Sequence, residues 1–93
     1  MIPWTLMSVR AIRVDRGYRF EVCLCFDSKD KLSIEVSAAQ LRSPRLFERA
    51  VLRQTDRPFD VAATIGLNPE HWYEDMERTW RIKINDMLGY TLP

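Results

Sequence analysis

Arg42, Arg45, Arg49 and Arg53 recur at steps of three, four and four within residues 37–60. On a helix of 3.6 residues per turn, these steps gather four guanidinium groups into roughly an 80° sector. A guanidinium group is permanently charged, offers a planar fork of donors that matches phosphate oxygens, and stacks on exposed bases. The chemistry that suits such a stripe is contact with a phosphate backbone, and Arg57 extends it past the end of the helix. The same spacing also allows a purely solubilising face whose aliphatic stems cover apolar atoms.

Arg10, Arg13, Arg16 and Arg19 crowd a second patch of charge around a turn at Asp15-Arg16-Gly17, with Asp15 and Glu21 at hand to neutralise it. Cys23, Cys25 and His71 fall short of the four paired ligands of structural zinc. A nucleophilic triad built on His71 would place its cysteine in mid-strand without a supporting turn. Asp27, Asp30 and Asp60 are scattered turn residues, and Gly17, Gly66 and Gly89 stand singly, which leaves no glycine-rich phosphate loop. Trp72, Tyr73 and Trp80 have rings able to stack on bases or on a partner's side chains, but at helical spacing they read as core. These residues give no catalytic constellation, no metal site and no cofactor, and the expectation is a protein that is not an enzyme.

The net charge of +1 supplies no bulk attraction to nucleic acid or to an anionic membrane, so any electrostatic argument rests on local distribution. Residues 38–57 carry five arginines against Glu48 and Asp56, and residues 69–88 carry five acids against Arg78, Arg81 and Lys83. A basic central helix and an acidic last helix follow, either as two solvated faces or as partly paired ones. The apolar runs are far shorter than the ~20 residues of a membrane span, and Met1-Ile2-Pro3-Trp4 does not open a signal peptide. Two cysteines at i and i+2 of a strand make a poor disulfide. The expected location is cytoplasmic, with reduced thiols and no membrane partner.

Residues 1–14 read as a strand whose apolar parity switches, implying a bulge near Ala11-Ile12. Tyr18, Phe20, Val22, Leu24 and Phe26 alternate with polar positions and give the second strand an apolar core face. Leu32, Ile34 and Val36 do the same in a third. Ser37 and Gln40 match a capping box for a helical turn through Leu41, and Ser43-Pro44 restarts the helix as N-cap and first residue. That helix runs to about Gln54, burying Leu46, Phe47, Ala50 and Val51, and Thr55-Asp56-Arg57-Pro58 stops it. Residues 59–67 read equally as an edge segment or as a loop packed on the helix. Gly66-Leu67-Asn68 is a turn, and Asn68-Pro69-Glu70 opens a last helix with the stripe Trp72, Tyr73, Met76, Trp80, Ile84, Met87 and Leu88, closed by Gly89. The 93 residues suit one small globular domain of the α+β class: a three-stranded antiparallel β-meander packed on one face by two main α-helices.

The run from Leu32 to Thr55, with Leu41-Arg42-Ser43-Pro44-Arg45-Leu46-Phe47 at its centre and a late Trp80 leading an Ile/Leu helix, resembles a small domain that accompanies helicases and primases of phage and mobile-element replication modules. The resemblance implies an accessory or DNA-contacting role beside a motor enzyme, with no catalytic residues to carry over. The chain itself has no motor or primase motif. The expected function is that of a nucleic-acid-associated accessory protein using Arg42, Arg45, Arg49, Arg53 and Arg57, with DNA or RNA and a helicase or other replication protein as partners. The alternative is a protein–protein adaptor without nucleic-acid contact.

Overall fold

The computed structural model describes residues 5–26, 30–64 and 72–92, with the backbone alone at 26, 62–63 and 72–74. Three strands, β1 (Thr5–Val14), β2 (Gly17–Phe26) and β3 (Asp30–Val36), form an antiparallel sheet in the order β1-β2-β3. Four helices follow: α1 (Ala38–Arg42), α2 (Pro44–Thr55), α3 (Val61–Thr64) and α4 (Trp72–Leu88). The fold is α+β, a meander with its helices gathered on one face.

At the first hairpin Asp15 and Arg16 keep negative φ while Gly17 takes φ 114°, a conformation that glycine adopts without steric cost. The register then places Ala11 opposite Phe20 and Val9 opposite Val22, so Leu6, Val9, Phe20, Val22, Leu24, Ile34 and Val36 line the buried face. The irregularity in β1 falls between Leu6 and Ser8, not near Ala11-Ile12. Met7 is the extra residue and points to solvent, and Ile12 lies opposite Arg19 on the outer face. The cause is that Leu6 and Met7 are both apolar: either parity was open at the start of the strand, and pairing with Leu24 selects Leu6.

Tyr18 also departs from expectation. It shares the inner face with Phe20 yet remains 65% exposed, because the helical layer ends before the hairpin tip. The expected role of Phe26 lies outside the described side chains.

Ser37 closes a capping box over α1: the Gln40 N–H donates to Ser37 Oγ at 3.2 Å and the Ser37 N–H donates to Gln40 Oε1 at 2.9 Å. Ser43 breaks the helical path in an extended conformation and caps α2 through the Leu46 N–H at 3.3 Å, with Pro44 at the first position. Asp56 ends α2 in the left-handed region at φ 56°. Phe59 is buried, and α3 begins with a buried Val61 whose N–H donates to Glu48 Oε1 at 3.1 Å. Residues 59–64 therefore resolve as a short helical corner under α2. The expected turn at residues 66–68 and the helix opening at 68–70 lie outside the described residues. At the other end of α4, Gly89 takes φ 82° and donates its N–H to Asn85 O at 2.9 Å.

Phe47, Phe59 and Trp80 meet at the centre of the core, with Phe47 and Trp80 centroids 5.0 Å apart and Phe47 and Phe59 5.3 Å apart. The Trp80 indole N–H donates to the Leu41 carbonyl at 2.8 Å, which gives its polar atom a partner at full burial. Ile84 is buried, and Met76, Met87 and Leu88 pack on the same cluster. Trp72 and Tyr73 fall outside the described side chains. Beyond α4, Leu92 is buried, and its N–H donates to Asn85 Oδ1 at 2.9 Å.

Candidate nucleic-acid interface

α2 is amphipathic because Pro44, Phe47, Ala50 and Val51 are buried against β3 and α4. Taking 100° per residue, Arg45, Arg49 and Arg53 occupy roughly an 80° sector whose centre lies roughly 170° from that buried side. All three are exposed and repeat about every 6 Å along the helix. Among the described residues, no carboxylate pairs with any of the three.

Two residues of this surface lie elsewhere than their spacing implies. Leu46 is exposed, not buried, because burial of Phe47 and Val51 turns position 46 toward the arginines. With Leu52 it flanks the stripe, the two being 38% and 49% exposed. Arg42 ends α1, on the far side of the Ser43 break, so one helix carries three of the stripe residues and not four.

Arg42 instead lines a shallow cleft of about 380 Å³ with Ser43, Glu77, Arg81 and Leu92. Arg57 follows α2, with its guanidinium 4.0 Å from Asp30 and its N–H donating to Thr55 Oγ1. The structure thus brings Arg45, Arg49 and Arg53 together, with Arg42 before the helix and Arg57 beyond it.

The arginines of the first hairpin are used differently. Glu21 and Glu35 stand directly opposite each other across β2 and β3 on the outer face, an arrangement of like charges that destabilises a sheet unless countered. Arg10 pairs with Glu21 at 2.8 Å and Arg19 with Glu35 at 2.6 Å, which counters both. Asp15 is not among these partners. Arg13 lies opposite Tyr18.

Cys23 and Cys25 are free thiols on the outer face of β2. His71, the third residue weighed with them, lies outside the described residues. No group of three or more His, Cys, Asp or Glu among the described residues is arranged to hold a metal ion. No helix among the described residues is long and apolar enough to cross a membrane.

Sequence reasoning missed one surface. An apolar cleft of about 560 Å³ opens between Ala11, Tyr18, Phe20, Ala38, Tyr90 and Leu92. Tyr90 followed a helix stop and carried no periodic signal, and nothing local showed that the chain would fold back against the hairpin. Compared with protein-family models, with curated proteins and with solved structures, the chain matches none.

Proposed function

We propose that this chain is a non-enzymatic, nucleic-acid-associated accessory protein that contacts phosphates through Arg45, Arg49 and Arg53, with Arg42 and Arg57 at the two ends of the track. One observation carries the reading. Arg45, Arg49 and Arg53 align along one helix, face directly away from the core and have no carboxylate partner among the described residues; Arg10, Arg19, Arg57 and Arg78 each pair with one, and Arg13, Arg16 and Arg81, also without such a pair, do not share one helix face with the three. A set of aligned, uncompensated guanidinium groups suits a polyanion. The likeness of residues 37–55 to the accessory domain of phage and mobile-element replication modules supports DNA as the polyanion and a helicase or other replication protein as a neighbour. A cytoplasmic setting belongs to the same proposal and accords with two free thiols. Binding of oligonucleotides by the Arg45→Ala/Arg49→Ala variant at two salt concentrations tests it: weaker binding with a flatter salt dependence is expected, and unchanged binding contradicts it.

Leu46 and Leu52 favour a second reading, a protein–protein adaptor. Exposed leucines beside arginines give a surface that an acidic partner with an apolar centre would cover. Leu46→Ser/Leu52→Ser separates the two readings, since it leaves phosphate contacts intact and removes the apolar anchors. A protein partner retained after nuclease treatment and lost in this variant would favour the adaptor.

A further inference from the structure

The cleft between the first hairpin and the C-terminal segment is lined by apolar and aromatic side chains. Buried Phe20 and Leu92 and half-buried Ala38 line it, with exposed Ala11, Tyr18 and Tyr90 around them, the two tyrosines 65% and 50% exposed. Among the described residues no ring contact joins Tyr18 to Tyr90, and both line the cleft. At about 560 Å³ the space admits a flat aromatic body.

Positive charge stands on both sides. Arg13 is the cross-strand partner of Tyr18, so the two side chains leave the sheet on the same face, with Cβ atoms about 5 Å apart. On the other side Leu92 is shared with the cleft that Arg42 and Arg81 line. Glu77 lines that second cleft as well. Arg42 in turn lies three residues before Arg45, at most about 11 Å of chain from the start of the stripe.

An apolar, aromatic-rimmed slot with arginine before and after it matches a planar apolar group that carries a negative charge on each side. A nucleotide within a strand has that pattern: a base with a phosphate on either side of it. We infer that the Tyr18–Tyr90 cleft stacks an unpaired base, which makes the nucleic acid single-stranded. Duplex bases are stacked on each other and cannot enter the slot, whereas single strands bind by a basic track with aromatic platforms. This inference rests on the phosphate-contact reading of α2 and gives it a strand type and a direction, from α2 past Arg42 and into the cleft.

Fluorescence polarisation with a labelled single-stranded oligonucleotide, the duplex of the same length and a single strand containing abasic sites tests it. The proteins are wild type, Tyr18→Ala/Tyr90→Ala, Tyr18→Phe/Tyr90→Phe and Arg45→Ala/Arg49→Ala. Both tyrosines are exposed, so the tyrosine variants retain the fold. The expected result is preference for the single strand, a loss of about tenfold or more in the alanine pair with the salt slope unchanged, recovery in the phenylalanine pair, and no loss when the alanine pair meets the abasic strand. If the alanine pair binds like wild type while the arginine pair does not, the base site is overturned and the phosphate reading stands. If wild type binds neither strand type, both are overturned, and a peptide with an aromatic residue between acidic ones becomes the occupant that fits.

Discussion

The side-chain amide of Gln54 pairs with the backbone of Glu35 as a neighbouring strand would: Glu35 N–H donates to Gln54 Oε1 at 3.1 Å, and Gln54 Nε2 donates to Glu35 O at 2.8 Å. Through these two bonds the last turn of α2 caps the open edge of β3 and fixes the helix that carries the arginines. Arg57, at 4.0 Å from Asp30, lies against the same strand farther along.

The pairing needs one donor and one acceptor. Gln54→Ala is expected to cost about 1 kcal/mol in chemical denaturation, since the freed backbone groups can still reach water. Gln54→Glu is expected to cost at least as much, because a carboxylate has no N–H for the Glu35 carbonyl and sets a negative charge beside it. A glutamate variant as stable as wild type would show that the pairing contributes nothing.

Trp80 joins α4 to α1 through its indole N–H and fills the centre of the core. Trp80→Phe removes both the bond to Leu41 O and part of the ring, and the expected loss is about 2–4 kcal/mol by thermal or urea unfolding followed by circular dichroism. A loss under about 1 kcal/mol would mean that the Leu41 carbonyl finds another partner.

Position 46 and position 47 separate the two sides of α2. Phe47→Ala is expected to destabilise by about 3–5 kcal/mol, while Leu46→Ala stays within about 0.5 kcal/mol of wild type, as for a surface site. Equal losses would place Leu46 in the core and turn the arginine stripe away from solvent.

Much of this was legible from local pattern. The alternation of Phe20, Val22 and Leu24, the Ser37–Gln40 box, the Ser43-Pro44 restart and the Gly89 stop all act within a few residues of themselves, where backbone preference and side-chain period decide the outcome. What was not legible depends on distant partners. The β1 slip at Met7 is decided by Leu24 across the sheet, the exposure of Tyr18 by where the helices end, and the burial of Leu92 by Asn85 seven residues earlier. Leu46 reads as buried in the sequence because one apolar residue beside Phe47 extends either edge of the buried stripe. The Arg45, Arg49 and Arg53 alignment was read from spacing. Arg42 falls in step with them by spacing, although Ser43 and Pro44 carry a start signal that separates it from their helix.

The breaks that flank α2 supply a further check on its boundaries. Ser43→Ala removes the cap on the Leu46 N–H and is expected to cost about 1 kcal/mol, and Ser43→Asp should retain most of that stability. Equal losses in both variants would assign the effect to something other than the cap.

The central claim is that Arg45, Arg49 and Arg53 meet phosphates. The most direct test is the slope of log K against log salt concentration for a single-stranded oligonucleotide, measured for wild type and for the Arg45→Ala/Arg49→Ala/Arg53→Ala variant. Each phosphate contact to a single strand contributes about 0.7 to that slope, so the variant is expected to bind more weakly with a slope shallower by about 2. A variant that binds as tightly as wild type, with the same slope, would contradict the account.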